Sequence, residues 1–211
     1  MTTSDVFDLA GLYAMADTSV LSEDLLVPAT SLAIGGGARL VQYRSKSDDM
    51  ALKEWQAVDL LHLCRGLNVP LIVNDDLELA ATIRADGVHL GKDDVAVAEA
   101  RARLGDGAII GASCYGSVAL AVQAWKDGAS YVAFGRFFPS STKPFAVQTE
   151  ADILVAARQA MPLPICAIGG ITTSNAATLV EAGADMLAVA QGLFGGDVKA
   201  TASQFARLFE Q

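Results

Sequence analysis

The sequence predicts a single-domain α/β protein, a (β/α)8 TIM barrel that extends over residues 1–211. Eight short apolar runs recur about every 20 to 30 residues, and helical patterns lie between them. Most of these runs are continuously apolar, as is typical of parallel strands buried on both faces. No linker, low-complexity tract or change in composition divides the chain. Because strands that alternate with helices form parallel sheets, eight such units predict a closed barrel.

The predicted elements follow one another in a regular order. The eight strands cover residues 12–16, 40–44, 71–74, 88–90, 109–113, 131–135, 165–168 and 186–190. The clearest helical patterns cover residues 52–67, 95–104, 117–127, 153–160 and 174–182. Gly66, Gly128 and Gly183 each stand between a helical pattern and the next strand, where glycine often ends a helix. Residues 76–85 leave room for only a short helix.

A doubly wound open sheet is the alternative architecture for such a chain. That fold has fewer strands and usually carries a glycine-rich turn after the first one. Here the first strand is followed by Asp17, Thr18 and Ser19, which form no such turn. The barrel is therefore the preferred prediction, and it places the active site where the strands end and the following loops begin.

Composition and charge narrow the range of functions. With 15 Lys and Arg against 24 Asp and Glu, the net charge is −9, so we expect no broad basic face for nucleic acid. No apolar run reaches the length of a membrane span, and the N-terminus does not resemble a signal peptide. Three widely spaced cysteines form no Cys-x-x-Cys pair. We therefore expect a cytoplasmic protein that binds neither nucleic acid nor membranes, and the sequence leaves a homo-oligomer open.

The most informative polar pattern lies at the end of the second strand. Gln42, Arg44 and Lys46 alternate along the chain, so their side chains extend from one face of the strand. In an acidic protein a local cationic cluster attracts an anion against the protein's own field. A solvated strand end is the alternative for any one of these residues, whereas three in register favour an anion site.

Acidic residues follow the third and fourth strands. Asp75 and Asp76 come directly after Asn74, and Asp93 and Asp94 follow the fourth strand. Neighbouring strands lie about 4.8 Å apart, so carboxylates on these two loops are expected to converge. Two carboxylates beside a phosphate suit Mg²⁺. Helix capping is the alternative for each residue taken alone.

Hydroxyl groups and a lysine follow the fifth and sixth strands. Ser113 either contacts a ligand or caps the next helix. The loop after the sixth strand contains Ser140, Thr142 and Lys143, which have donors for phosphate oxygens. A solvated loop has a similar composition, so this pattern alone is only a moderate indication.

Small residues follow the last two strands. Gly169 and Gly170 end the seventh strand, and Ala190 and Gln191 end the eighth. The loops after these strands form the usual phosphate site of a TIM barrel, and glycine permits close approach of the backbone to a phosphate. A tight turn is the alternative explanation for the glycine pair.

No protein nucleophile is indicated. His62 lies in an amphipathic pattern, and for His89 a packing role is favoured over a catalytic one. Cys114 has no neighbouring base that would activate its thiol. The chain contains no Ser–His–Asp order, zinc-protease motif, Walker loop or nucleophile elbow.

These strand ends together resemble the thiamine-phosphate synthase family over nearly the whole chain. The resemblance rests on seven blocks in order: Gln42-Tyr43-Arg44-Ser45-Lys46, Asn74-Asp75-Asp76, His89-Leu90-Gly91-Lys92-Asp93-Asp94, Ile110-Gly111-Ala112-Ser113, residues 135–143, Ala167-Ile168-Gly169-Gly170-Ile171 and residues 183–189. Gly135-Arg136 stands where many members have Gly-Pro, and Gln191 stands where serine is frequent. These departures remove no charged group that the family's chemistry needs.

The resemblance implies an enzyme that joins hydroxymethylpyrimidine diphosphate to a thiazole phosphate, releases diphosphate and forms thiamine phosphate. It assigns charge neutralisation at the diphosphate to Arg44, Lys46 and Lys143, and it assigns Mg²⁺ to Asp75 and Asp94. The substrate-binding positions that it implies are Gln42, Tyr43, Arg44, Ser45, Lys46, Asn74, Ser113, Ser140, Ser141, Thr142, Lys143, Gly170, Ala190 and Gln191.

Three other functions fit a phosphate-binding barrel. A thiazole tautomerase-like isomerase transfers no activated group and does not need the cations and acids present here. A phosphosugar epimerase or isomerase needs a placed acid and base, and no convincing pair is present. A catalytically silent sensor of thiamine precursors is disfavoured because the charged positions form a complete set.

Overall fold

The computed structural model describes residues 8–139 and 149–210. Its centre is a closed barrel of eight parallel strands in chain order, which confirms the predicted fold. The strands are β1 (Gly11–Asp17), β2 (Ala38–Arg44), β3 (Leu71–Asn74), β4 (Gly87–Leu90), β5 (Ile109–Tyr115), β6 (Tyr131–Phe134), β7 (Ile165–Ile168) and β8 (Met186–Val189). Gly11 of β1 pairs with Met186 of β8, which closes the sheet and rules out the open alternative.

Helices follow the strands around the outside of the barrel. In the described ranges they are α1 (Glu23–Gly35), α2 (Met50–Gly66), α3 (Leu77–Ile83), α4 (Val97–Leu104), α5 (Val118–Lys126), α6 (Asp152–Ala160), α7 (Ala177–Glu181), α8 (Gln191–Phe194) and α9 (Val198–Ala206), with a final 3-10 turn at Arg207–Phe209. None of these helices has the length and apolar character that crossing a bilayer requires.

Helix α1 was not among the predicted helices. It contains Pro28, which lacks a backbone N–H and disfavours a helix interior. The helix forms nevertheless because Leu26, Ala29 and Ala33 are buried. Tertiary packing of one apolar face outweighs the local preference.

Several helices begin at a side-chain cap. Asp49, Asp76, Ser117 and Asp197 each accept a hydrogen bond from a backbone N–H in the first turn of α2, α3, α5 and α9. The cap of the helix after β5 is therefore Ser117, which leaves Ser113 available for another role. At the end of β3, Asp76 and not Asp75 is the cap.

The barrel has two packed regions. The larger one joins the outward faces of the strands to the helices. The smaller one fills the barrel interior and includes Tyr13, Leu40, Ile72, Tyr131 and Met186. The hydroxyls of Tyr13 and Tyr131 meet inside this region, and the cavity described next opens above them at the carboxyl ends of the strands.

Candidate active site

A cavity of about 710 Å³ lies at the carboxyl ends of the barrel strands. It contains nine of the predicted site residues in its wall, which are Gln42, Arg44, Lys46, Asn74, Asp75, Ser113, Gly170, Ala190 and Gln191. These residues come from β2, β3 and β5 and from the segments that directly follow β2, β3, β7 and β8. Closure of the barrel therefore brings distant parts of the chain to one opening.

The alternation along β2 places Gln42, Arg44 and Lys46 in the cavity wall. Tyr43 extends from the opposite face: it is buried among the residues between strands and helices, and its hydroxyl donates to Gln56 Oε1 at 2.8 Å. Ser45 lines a second depression outside the main cavity and accepts a hydrogen bond from Ser47 N. The side chains of Tyr43 and Ser45 are therefore not part of the wall of the main cavity, and their assignment to substrate binding stays a prediction from the family resemblance.

Arg44 is held by a neighbouring carboxylate. The last residues of β1 and β2 are paired in the sheet, and Arg44 Nη1 lies 2.5 Å from Asp17 Oδ2. The other carboxylate oxygen of Asp17 accepts hydrogen bonds from the N–H and hydroxyl of Ser19. The guanidinium is therefore fixed in direction at the cavity wall, and hydrogen bonds to its ionised partner are stronger than neutral ones.

The adjacent residues Asp75 and Asp76 have different positions. Asp75 has a φ of 65°, and its left-handed backbone conformation turns the chain after β3. Its carboxylate lines the cavity, whereas Asp76 Oδ2 accepts from Lys53 Nζ at 2.9 Å and Asp76 Oδ1 from Leu79 N at 2.9 Å. Burial opposes ionisation of Asp76, but the hydrogen bonds from Lys53 and Leu79 outweigh it and lower its pKa.

Asp94 reaches Asp75 from the loop after β4. Its Oδ2 accepts from Gly91 N at 2.6 Å, which orients the carboxylate toward β3. Burial and the nearby charge of Asp75 raise the pKa of Asp94, while Gly91 N and the charge of Lys46 act in the opposite direction. Two carboxylates that meet in this way favour a shared proton or a shared cation.

A lysine from the segment directly after β2 lies beside the two carboxylates. Lys46 Nζ lies 3.5 Å from Asp75 Oδ2, and both side chains are exposed enough that this contact is weak. In the described part of the chain, no three His, Cys, Asp or Glu side chains form a metal-binding group. Two carboxylates with open coordination positions nevertheless suit Mg²⁺, which keeps several waters and takes further oxygens from a substrate phosphate.

A chain of hydrogen bonds crosses the barrel below this point. Gln42 Nε2 donates to the Tyr13 hydroxyl at 2.7 Å, and that hydroxyl lies 2.9 Å from the Tyr131 hydroxyl. Tyr131 lies 2.9 Å from Nδ1 of His89, whose Nε2 is 2.9 Å from Ser113 Oγ. His89 is thus a buried member of a polar network that reaches the cavity wall.

The opposite side of the cavity is formed by small residues. Gly170 has a φ of 66°, and a Cβ there would lie 2.4 Å from the carbonyl oxygen of Pro139. Gly169 has a φ of 105°, and its Cβ would lie 2.3 Å from the Cβ of Arg136. The glycine pair is therefore required by the turn and by the close approach of the segment after β6.

A family model described as thiamine monophosphate synthase matches residues 12–193. The chain belongs to this family. The matched range begins in β1 and ends in α8, so it includes every strand of the barrel and each cavity wall described above.

Individual members of the family are also similar. Thiamine-phosphate synthase from Marinobacter nauticus is 50% identical over 202 residues, which are 94% of this chain and 90% of that protein. Thiamine-phosphate synthase from Thiobacillus denitrificans is 50% identical over 200 residues, 94% of each chain. Among solved structures, thiamine phosphate pyrophosphorylase from Pyrococcus furiosus superposes with a TM-score of 0.87 at 28% identity and covers 98% of both chains.

Some predicted positions lie outside the described residues. The family block after β6 includes Ser140, Ser141, Thr142 and Lys143, and all four fall in the range 140–148 that the structure does not describe. Their roles remain predictions from the family resemblance. The described chain reaches Pro139 before this range and continues at Thr149 after it.

Sequence reasoning missed several residues of the site. Tyr13 and Tyr131 fall in predicted strands and Asp17 directly follows one, and the sequence indicated no site role for any of them. In the structure Asp17 lines the cavity, and the two tyrosine hydroxyls are hydrogen-bonded below it. The position of Asp17 at a strand end was the available signal, since Arg44 ends the neighbouring strand. For the tyrosines no local signal exists, because they are 118 residues apart in the chain.

Proposed function

We propose that the chain is a thiamine-phosphate synthase, which joins 4-amino-2-methyl-5-hydroxymethylpyrimidine diphosphate to a thiazole phosphate and releases diphosphate. One observation carries the proposal. Arg44 at the end of β2, Lys46 just after it and Asp75 line one cavity, and Asp94 lies beside Asp75 and Lys46. Cations beside a paired-carboxylate site are what a departing diphosphate requires.

The chain's own cations stabilise the leaving group. As the bond between the pyrimidine methylene carbon and the diphosphate oxygen breaks, negative charge grows on the diphosphate. Arg44 is fixed by Asp17 and presents N–H donors at the cavity wall, while the more exposed Lys46 adjusts its position. Donors aimed in advance at the place where charge develops lower the barrier without reorganisation. The family resemblance adds Lys143 to this set.

We assign Mg²⁺ to Asp75 and Asp94. Their carboxylates approach one another, whereas Asp76 is already engaged by Lys53 and by the start of α3. The bound ion supplies positive charge to the diphosphate oxygens. Asn74, which ends β3 beside these acids and lines the cavity, offers an amide for the same substrate.

We place the thiazole phosphate at the side of the cavity formed after β7 and β8. Gly170, which follows β7, lines that side together with Ala190 and Gln191, which follow β8. Ser140 and Thr142 complete this site in the family resemblance. Binding both substrates in one cavity converts a bimolecular step into an effectively unimolecular one.

The reaction proceeds without a protein nucleophile. The aminopyrimidine bears cationic character at its methylene carbon after diphosphate leaves, and the thiazole nitrogen then forms the new C–N bond. Burial raises the pKa of Cys114 and of Cys166 to about 12, so both thiols stay protonated and unreactive. The three free, buried cysteines also agree with the cytoplasmic location that we propose.

The decisive experiment mixes both precursors with purified protein and Mg²⁺ and follows diphosphate and thiamine phosphate by chromatography. We expect equal amounts of the two products. The Arg44→Ala variant should lose activity by about two orders of magnitude or more. Arg39→Ala changes an exposed arginine at the other end of the same strand and should keep full activity. Wild-type protein that forms neither product, or an Arg44→Ala variant with near-normal turnover, would refute the proposal.

A further inference from the structure

The hydrogen-bond chain inside the barrel leaves one acceptor without a partner. Gln42 is 2% exposed, its Nε2 donates to Tyr13, and its Oε1 is buried with no hydrogen-bond partner among the described residues. An unpaired buried carbonyl is costly, and native proteins retain one rarely. Gln42 lines the cavity, so the donor that its oxygen lacks is one that a ligand brings.

The direction of donation along this hydrogen-bond network follows from the number of hydrogens that each side chain carries. Burial raises the pKa of Tyr13 and of Tyr131 above the usual value, so each keeps one hydroxyl hydrogen. Tyr13 accepts from Gln42 and therefore donates to Tyr131, which in turn donates to Nδ1 of His89. Nε2 of His89 then donates to Ser113 Oγ. The hydroxyl hydrogen of Ser113 is left for a ligand in the cavity.

Gln42 and Ser113, the two ends of this hydrogen-bond network, are thus coupled. In this polarity Gln42 offers an acceptor and Ser113 offers a donor. Reversing one bond reverses all of them, after which Gln42 offers N–H and Ser113 offers a lone pair. The structure has the first polarity, in which the unpaired Gln42 oxygen accepts from a ligand donor. An exocyclic amino group supplies that donor, while ring nitrogens and phosphate oxygens only accept and take the Ser113 hydrogen.

We propose that Tyr13, Tyr131 and His89 are positioning residues that fix the Gln42 amide and the Ser113 hydroxyl in the polarity that selects an amino-substituted pyrimidine. This inference rests on the proposed function and extends it to substrate choice. The three residues touch no reacting atom. They act by preventing the Gln42 side chain from rotating to present its NH₂ group to the cavity.

The test compares the 4-aminopyrimidine diphosphate with the analogue that carries a carbonyl oxygen in place of the amino group. We expect wild-type protein to prefer the amino substrate by about 100-fold or more in kcat/KM, because a site built for a hydrogen bond rejects a mismatched partner. Tyr13→Phe and Tyr131→Phe should each reduce that ratio at least about tenfold. Thr30→Val removes a buried hydroxyl bond inside α1, away from the cavity, and should leave the ratio unchanged.

A second measurement leaves every residue of the hydrogen-bond network unchanged. Nitrogen-15 NMR of the two histidines should show His89 neutral with its proton on Nε2, and His62→Gln, which changes an exposed residue, assigns the signals. The opposite tautomer of His89 would overturn the proposal, as would folded tyrosine variants that slow both substrates equally. Failure of wild-type protein to release diphosphate would instead refute the proposed function, and the substrate preference with it.

Discussion

Asp17 and Arg44 end adjacent strands and form an ion pair at the wall of the cavity, with Arg44 Nη1 2.5 Å from Asp17 Oδ2. The side chain of Asp17 is 3% exposed and that of Arg44 is 13% exposed, so the pair is largely removed from bulk water. Because both oxygens of Asp17 are engaged, the guanidinium has one favoured direction. The pair therefore determines how Arg44 meets an anion.

Replacing Asp17 with asparagine should destabilise the free protein and increase its response to diphosphate. We expect a loss of about 2–4 kcal/mol in the free energy of unfolding, since Arg44 loses its counter-ion in a mostly buried place. Bound diphosphate supplies a new counter-ion, so it should raise the melting temperature of Asp17→Asn more than that of wild type. Thermal unfolding with and without inorganic diphosphate measures both effects.

Asp185 provides the matched control for that experiment. It pairs with Arg158 and accepts from Ile165 N at the amino-terminal end of the barrel, away from the cavity. Asp185→Asn should also lower stability, but diphosphate should stabilise it no more than wild type. An equal diphosphate response in both variants and wild type would contradict the assigned role of the Asp17–Arg44 pair.

Magnesium should stabilise the protein through Asp75 and Asp94. We expect Mg²⁺ to raise the melting temperature of wild type in the presence of diphosphate, because a ligand of the folded state stabilises it. Asp75→Asn and Asp94→Asn should lose this response, while the exposed neighbour Asp93→Asn should keep it. Activity that survives exhaustive chelation, or a normal Mg²⁺ response in Asp94→Asn, would disprove the assignment.

Lys143 should be needed for turnover although its structure is not described. The family resemblance places its ammonium at the diphosphate, so Lys143→Ala should reduce kcat by about two orders of magnitude or more with the fold intact. Lys126→Ala, in the last turn of α5, is a control for loss of one positive charge. Steady-state kinetics and circular dichroism decide the matter, and near-normal kcat in Lys143→Ala would count against the role.

Arg101 should be important for stability and not for catalysis. Its guanidinium donates to the carbonyl oxygens of Gly105, Ala108 and Gly128 and to Ser130 Oγ. Arg101→Met leaves these acceptors unpaired and should cost about 2–4 kcal/mol in the free energy of unfolding.

Arg103 on the same helix is the control for Arg101. Within the described residues its one ion pair is an exposed contact with Glu78, so Arg103→Met should change the free energy of unfolding by less than about 1 kcal/mol. Urea denaturation of the two variants gives the comparison. Equal losses would show that the hydrogen bonds of Arg101 contribute little.

The cysteines should resist thiol reagents in the folded protein. Burial raises the pKa of Cys64, Cys114 and Cys166 to about 12, which is above the usual thiol value. Raising the pH from 7 to 9 therefore produces almost no thiolate in the folded state, whereas unfolded cysteines ionise near pH 8.5. Reaction with a disulfide reagent should be slow until denaturant is added and should then consume three thiols. A thiol that reacts at the rate of free cysteine in native protein would contradict this.

The sequence was sufficient to predict the barrel and one wall of its cavity. Each of the eight buried strands can be predicted because it is a run of a few consecutive apolar residues. The shared face of Gln42 and Arg44 follows from the two-residue period of a strand. The same rule, applied strictly, places the Tyr43 side chain outside the cavity wall, where it lies. The sequence could not show which of Asp75 and Asp76 faces the cavity. The left-handed backbone at Asp75 determines that, and no residue pattern predicts it.

By itself the sequence determined the order of strands and helices, the family, and the residue types available at each strand end. The order of the elements and the residues at each strand end follow from periodicities within about ten residues of chain. The family follows from the seven motif blocks that the chain shares with it. Only the tertiary structure decided that Asp17 holds Arg44, that Asp94 meets Asp75, and that Tyr13 and Tyr131 connect Gln42 to His89. Those contacts exist because barrel closure and strand register bring distant side chains within hydrogen-bond distance, and no local pattern records them.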